Sequence, residues 1–376
     1  MSYSCIAVDD DPKASWFKLL SEASDNQLTF LSIERLVELS DLVSEIIGNK
    51  PALVALDYRL NENSSSHGGH NTYIAGSVAQ HIRERFSGGP TEDFPLVLVS
   101  AEDKITEFRR SSPTSHDLFD RIYSKTDIAS GPEHVVAELV GLVEGYREVG
   151  LFLSEERSIE QLFAMSEEEW SDLPFAAEAE LKVSEKNYAH WVAKTLLECF
   201  IDRPGLLLRP CDVWARLGID EDKSDTEALI EKFVEAGLNY TGAFSGVELR
   251  FWQSRFSTKV WEIVGKSLVA QKPEVRAEMI GGVFNVKLVP ATSRWSGSSE
   301  ELFSFACASC LNPTAMKHSV EAYDPTALIF NERKRICFDC IKKTFHERAG
   351  LTVSPSDNSV VEAIKSGEIS RSKKTA

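Results

Sequence analysis

Leu53-Val54-Ala55-Leu56 is a run of apolar and small residues that ends in an acid, Asp57. An unbroken run of this kind predicts a strand buried on both faces. A lone carboxylate is costly to bury, so Asp57 belongs at the strand's C-terminal edge, in a cleft. In open α/β sheets that edge is where ligands bind. Three other predicted strands end in comparable residues. Residues 4–8 stop at Asp9 and Asp10, residues 95–100 end in Ser100, and residues 118–124 end before Lys125. If these strands run parallel, three carboxylates, a hydroxyl and an ammonium converge on one edge. Clustered carboxylates repel unless a hard cation joins them, and Mg²⁺ prefers oxygen ligands. One carboxylate could then act as a nucleophile on a phosphoryl group, with Lys125 and the metal neutralising the phosphoryl oxygens and Ser100 hydrogen-bonding one of them.

The second set of reactive residues is Cys307-Ala-Ser-Cys310 and Cys337-Phe-Asp-Cys340, two CxxC pairs. Four thiolates suit tetrahedral Zn²⁺, and a closed four-cysteine shell leaves no position for water, so such a zinc is structural. The second pair runs into a predicted helix over residues 341–348, near the positive end of its dipole. With β structure expected between the pairs, the spacing resembles a treble-clef or zinc-ribbon element. Cys5, Cys199 and Cys211 lie among apolar neighbours and read as core thiols.

The elements needed to position the acidic cluster are present in the pattern. A fifth strand is predicted at 28–33, and helices at 12–24, 36–47, 72–86, 103–110 and 133–149. Five β–α alternations within about 150 residues predict a doubly wound parallel sheet. In order along the chain, IAVDDDP, LVALDYR, LVLVSAED and YSKTD resemble the response-regulator receiver domain of two-component signalling, a five-stranded flavodoxin-like fold, over residues 1 to about 148. The resemblance implies that Asp57 is the phosphoacceptor. It implies that Asp10 binds Mg²⁺ directly, Asp9 largely through water, and Arg59 through its backbone carbonyl. Ser100 is then the switch hydroxyl and Lys125 the phosphate-pairing lysine. Three features depart from the family pattern. Thr126 replaces the usual proline, Ile122 holds the usual aromatic position with Tyr123 beside it, and a long Ser/Gly/His loop (NENSSSHGGHNTY, with His67 and His70) follows Asp57.

Beyond the βα region the pattern is mainly helical. Helices are expected at 155–165, 185–201, 212–217, 226–236 and 252–264, a linker at 166–175, and a strand at 283–289. Trp170, Trp191, Trp214, Trp252 and Trp261 fall in this stretch and read as core. His190, with Lys194 one turn on, is a weak phosphotransfer-histidine signal. No nucleophile–base set or phosphate loop is found here, so no enzymatic activity is expected beyond the receiver's own phosphorylation and dephosphorylation. The expected organisation is a receiver over 1–150, an α-rich output or adaptor region over 151–295, a zinc element over 296–352 and a mobile basic tail over 353–376.

The net charge of −17 argues against a broad hold on nucleic acid. From residue 307 onward, however, 11 Lys and Arg stand against 8 Asp and Glu, with Arg333-Lys334-Arg335 the densest patch. The chain has no long apolar run and its first residues do not read as a signal peptide, so a cytoplasmic protein without membrane partners is expected. The resemblance implies a histidine kinase as partner, and a protein partner for the output region, with a homodimer also open. The leading expectation is a response regulator with a non-enzymatic, zinc-containing output. A phosphate sink or adaptor in a bacterial phosphorelay, anti-phage systems included, and a phosphorylation-controlled nucleic-acid binder are the alternatives.

Overall fold

The computed structural model describes all residues except 1, 12, 35–36, 61–72, 87–92, 112–116, 185–187, 266 and 371–376; the side chains of 109–111, 181–184 and 269 are also outside it. The long loop containing His67 and His70 therefore lies outside the described residues. The remainder forms two compact units, 1–197 with 241–248, and 198–240 with 249–376.

The first unit holds β1 (Tyr3–Val8), α1 (Trp16–Ala23), β2 (Leu28–Ile33), α2 (Leu39–Gly48), β3 (Leu53–Leu56), α3 (Ala75–Phe86), β4 (Leu96–Ser100), α4 (Glu102–Ser111), β5 (Arg121–Ser124), α5 (Lys125–Ser130) and α6 (Pro132–Leu153). The strands form one sheet in the order β2-β1-β3-β4-β5, parallel throughout. β3 and β4 are buried at every residue, as expected of central strands covered on both faces. The register pairs Val8 with Leu56 and Ser100 with Ser124, which aligns the strand ends that carry the acids, the serine and the lysine.

Three details of this unit were not expected. Lys125 opens its own short helix, because Ser124 and Asp127 form a reciprocal capping box. All described peptide bonds are trans. The chain after α6 does not form one helix over 155–165; it breaks and restarts as α7 (Ile159–Phe163), capped by Ser158. The acidic stretch expected to be a linker carries α8 (Glu167–Ser171) and the start of α9 (Phe175–Ser184), and α10 (Ala189–Thr195) packs against α6.

Segment 241–248 belongs to this unit because it seats on α6. A Cβ at Gly141 would stand 2.3 Å from the Gly246 carbonyl carbon, and one at Gly145 would stand 2.1 Å from the Phe244 ring. Only glycine permits that approach. Ala243 N–H also donates to the Leu162 carbonyl at 2.8 Å.

A buried polar network ties the edge of the sheet opposite the strand C-termini. Arg83 of α3 bonds Asp93 at 2.8 Å and Asp120 at 2.9 Å. Asp120 accepts Leu96 N–H at 2.8 Å and the Tyr146 hydroxyl at 2.7 Å. His190 completes the set, with Nδ1 at 3.2 Å from the Tyr146 oxygen and Nε2 at 3.0 Å from the Asp117 carbonyl. His190 is buried with both ring nitrogens engaged, which removes it as a phosphotransfer histidine.

The second unit contains β6 (Leu207–Leu208), α11 (Pro210–Leu217), α12 (Thr226–Glu235), β7 (Phe251–Trp252), α13 (Gln253–Val264), α14 (Pro273–Phe284), β8 (Phe303–Ala306), β9 (Pro313–Ala315), β10 (Ser319–Glu321), β11 (Arg335–Cys337), α15 (Phe338–Lys342), α16 (Phe345–Arg348) and α17 (Asn358–Ser366). Its strands pair as three small antiparallel ribbons, β6 with β7, β8 with β9 and β10 with β11. Three sequence expectations fail here. Residues 283–289 form no strand: α14 runs through Phe284, and Asn285 ends it in the left-handed conformation. The tryptophans divide, with Trp214 and Trp252 buried but Trp261 58% exposed; in the first unit Trp191 is likewise exposed. The segment after 353 is no tail up to residue 366, because Val360, Val361 and Ile364 give α17 an apolar face that packs on the cysteine-bearing core.

Two outcomes check these readings. Asp120→Ala is expected to cost about 3–5 kcal/mol, because it leaves Arg83 buried with one carboxylate fewer. Burial by itself would raise the Asp120 carboxyl, but Arg83, then His190 and Tyr146, hold it down at about 2. Because the folded value lies below the unfolded one, its stabilisation is full above roughly pH 4 and fades as pH falls toward 2. Urea titrations should therefore show the gap between wild type and variant narrowing in acid. Ile364→Ala should cost about 2–5 kcal/mol by the same measurement, whereas an unpacked tail would give no change.

Candidate functional site

The first candidate site is built where the strands of the parallel sheet end. β1 delivers Asp9 and Asp10, β3 delivers Asp57, β4 ends in Ser100, and Lys125 follows β5. All three carboxylates are buried, and one oxygen from each lies within 4.8 Å of the others. Lys125 Nζ lies 2.8 Å from Asp57 Oδ1 and 3.0 Å from Asp9 Oδ2. The Ser100 hydroxyl donates to Asp57 Oδ1 at 3.3 Å, and the Arg59 amide donates to Asp57 Oδ2 at 3.1 Å. The Arg59 guanidinium turns to Glu107.

The electrostatics of this set favour a cation. Burial pushes the Asp57 carboxyl above its usual range, and Lys125 recovers only part of that shift. Burial works against the Lys125 charge, yet Asp57 and Asp9 raise its pKa above the ordinary lysine value. Three buried carboxylates facing one ammonium leave excess negative charge, which a hard dication with oxygen ligands would neutralise. The residues therefore fit a metal of the Mg²⁺ class.

Trp16 is the member that sequence reasoning missed. It reads as an apolar-face residue of α1, but its indole N–H donates to Asp9 Oδ2 at 2.9 Å in a buried setting. Asp11 N–H donates to Asp9 Oδ1 at 3.0 Å. Both Asp9 oxygens are thus held by protein donors, as are both Asp57 oxygens, by Lys125, Ser100 and the Arg59 amide. A tryptophan at the start of an amphipathic helix carries no signal that separates this role from packing. The two switch positions face apart as alternation requires: Ile122 packs with the core that contains Leu98 and Phe108, while Tyr123 is buried near Glu138 of α6.

The second site is the four-cysteine cluster. Cys307 and Cys310 follow β8, Cys337 ends β11 and caps α15, and Cys340 lies within α15. The four sulfurs lie within 4.8 Å of one another, and Cys310 Sγ is 4.0 Å from Cys337 Sγ. A tetrahedral Zn²⁺ with Zn–S near 2.3 Å places its sulfurs about 3.8 Å apart, so the cluster fits that ion. Cys337 N–H donates to Cys307 Sγ at 3.2 Å, a bond that favours thiolate. Four sulfurs so close cannot all ionise without a cation between them. The expected β structure between the pairs is present as β9 and the β10–β11 ribbon, but the helix expected over 341–348 breaks at Thr344 into α15 and α16.

No protein-family model matches this chain, and no curated protein matches it. No helix among the described residues is long and apolar enough to cross a membrane.

Elemental analysis of the purified full chain should give one zinc per molecule. Chelation, or Cys340→Ser, is expected to lower the melting temperature of the second unit and to release that zinc. Metal-free protein with an unchanged melting profile would contradict a structural ion.

Proposed function

We propose that the chain is a response regulator whose first unit is a receiver that accepts a phosphoryl group on Asp57. The single observation that carries this reading is the convergence of Asp9, Asp10, Asp57, Ser100 and Lys125 at one edge of a parallel sheet ordered 2-1-3-4-5. An Asp57 carboxylate oxygen attacks phosphorus. A P–O bond forms as the P–N bond of the kinase phosphohistidine breaks, and imidazole leaves with the electron pair. Lys125 pairs with a phosphoryl oxygen once that charge arrives beside Asp57, and Ser100 moves its hydroxyl proton from the carboxylate to the phosphoryl group. Asp10, Asp57 and the Arg59 carbonyl would hold Mg²⁺, with Asp9 contributing through water while Trp16, Asp11 and Lys125 hold its carboxylate in place. Bound Mg²⁺ supplies positive charge to the transferring oxygens.

The zinc-bearing second unit is the proposed output region, with a cytoplasmic histidine kinase upstream and a protein partner downstream. Phosphorylation replaces the single negative charge of the Asp57 carboxylate with a phosphoryl group of about −1.5 to −2 beside Lys125, and the changed pull on Lys125 and Ser100 is the local event to be read out.

Incubation with acetyl phosphate and Mg²⁺ tests the reading. The expected result is one alkali- and hydroxylamine-labile phosphoryl group per chain, lost in Asp57→Ala and on chelation of Mg²⁺. Lys125→Ala should lower the rate by about 10²-fold or more. Absence of Asp57-dependent incorporation, with acetyl phosphate and with phosphorylated kinases alike, would sink it.

A further inference from the structure

The second unit contains a cavity of about 510 Å³, inside the roughly 300–1,000 Å³ range of small-molecule sites. Its walls are aromatic and apolar where they are deepest. Phe256 is fully buried at the floor, and Trp261, one of the exposed tryptophans, stands on the solvent side. Phe305 forms a third aromatic wall. The lining also carries neutral hydrogen-bonding groups, Gln253, Ser257 and Ser304.

Phe305 and Glu332 also line a shallow adjoining recess, whose other walls carry Arg209, Arg333, Lys334 and Arg335. This recess is positive in a chain of net charge −17. Arg209 is matched by Asp212 at 2.8 Å, and Glu332 is taken up by Arg216 of the main cavity at 2.5 Å. Lys334 lies 4.0 Å from Asp324, which already bonds Arg203, with Asp202 also nearby. Arg335 bonds the uncharged Ser319 and lies over the Phe305 ring at 5.9 Å. Arg333 is exposed. Burial, with Arg203 and Arg209 nearby, holds Lys334 below the ordinary lysine pKa, as expected where cations outnumber their counter-charges.

The cysteine cluster fixes this arrangement. Phe305 stands two residues before Cys307 and Arg335 two before Cys337, and Ala308 N–H donates to the Arg335 carbonyl at 2.7 Å. A bulge in β8, where Phe303 pairs with Ala315 and Phe305 with Thr314, lets the successive residues Ser304 and Phe305 both face the cavity, which a regular strand would forbid.

We propose that this site binds a nucleotide, with its base against Trp261 and Phe305 and its phosphates on the Arg333–Lys334–Arg335 rim. An aromatic slot accepts the face of any base. The neutral amide and hydroxyls can meet base edges. Glu332, at the junction of slot and rim, is where the ribose hydroxyls would fall. The phosphates then meet the incompletely neutralised cations. Neither an apolar ligand nor inorganic phosphate uses both halves. The inference is independent of Asp57 chemistry.

Calorimetric titration of the zinc-loaded full chain with ADP, GDP, CDP and UDP tests it, with adenosine and pyrophosphate as half-ligands. At least one diphosphate should bind saturably, and its nucleoside and pyrophosphate should bind at least about tenfold more weakly. Trp261→Ala, a surface change, should weaken the nucleotide by about tenfold. Arg333→Ala with Lys334→Ala should reduce it toward the affinity of the nucleoside, with unchanged melting temperatures showing that both variants fold. Asp57→Ala should bind as wild type does. Failure of all four diphosphates to bind would overturn the proposal. So would pyrophosphate matching them, variants that bind as wild type, or a single-stranded hexanucleotide binding more than about tenfold tighter than every diphosphate.

Discussion

The Lys125 ammonium is the interaction on which the first site depends. It holds Asp57 at 2.8 Å and Asp9 at 3.0 Å, so one cation bridges β1 and β3 from the far side of β4. Without it three buried carboxylates would face each other across less than 5 Å, and charges buried without partners either neutralise or force the strand ends apart. The lysine cannot offset three negative charges alone. The surplus gives the site an affinity for a dication and for chemistry that brings one. Ser124 and Asp127 make the placement rigid, since their capping box starts α5 at Lys125 and ties the lysine backbone to the end of β5.

The opposite edge of the same sheet is held by the inverse charge pattern, one guanidinium between two carboxylates. Arg83, Asp93 and Asp120 are buried together and bonded to backbone groups of residues 94, 96 and 118. A buried pair of this kind is weak evidence of added stability, because desolvation opposes the Coulomb gain. Its value here lies in register. Asp120 accepts from Leu96 N–H, Arg83 and Tyr146 at once, so β4, α3 and α6 can meet in only one alignment. That alignment delivers Ser100 and Lys125 to the opposite edge.

The strand-end acids, Ser100 and Lys125 were legible because each ends an apolar run, and a parallel sheet turns a one-dimensional rule into spatial convergence. The two CxxC pairs were legible because metal spacing is local. What escaped depends on long-range partners. Trp16 reads as core from its helix face, and only the fold brings its N–H to Asp9. Trp261 lies on an apolar stripe at helical spacing, yet no second layer of the described structure covers it. Asn285 hides among residues of high β propensity, and its left-handed conformation, rather than those propensities, decides how α14 ends. Gly141 and Gly145 carry no signal by themselves, because their reason is a segment a hundred residues away in sequence.

The two units solve the problem of placing charge in different ways. In the first, a packed sheet supplies the rigidity that gathers three carboxylates able to hold a metal ion. In the second, the ribbons are two to four residues long, too short to hold their shape by pairing alone. There a metal held by the four thiolates would substitute for the missing sheet. It would join β8 to β11 through Cys307 and Cys337, and the residues it would order, Phe305 and Arg335, are not among the four thiolates. A closed four-cysteine shell does no chemistry of its own. Its consequence is to set an aromatic ring and a guanidinium side by side at the edge of a cavity, so loss of the metal should abolish whatever that cavity binds before it unfolds the sheet that carries Asp57.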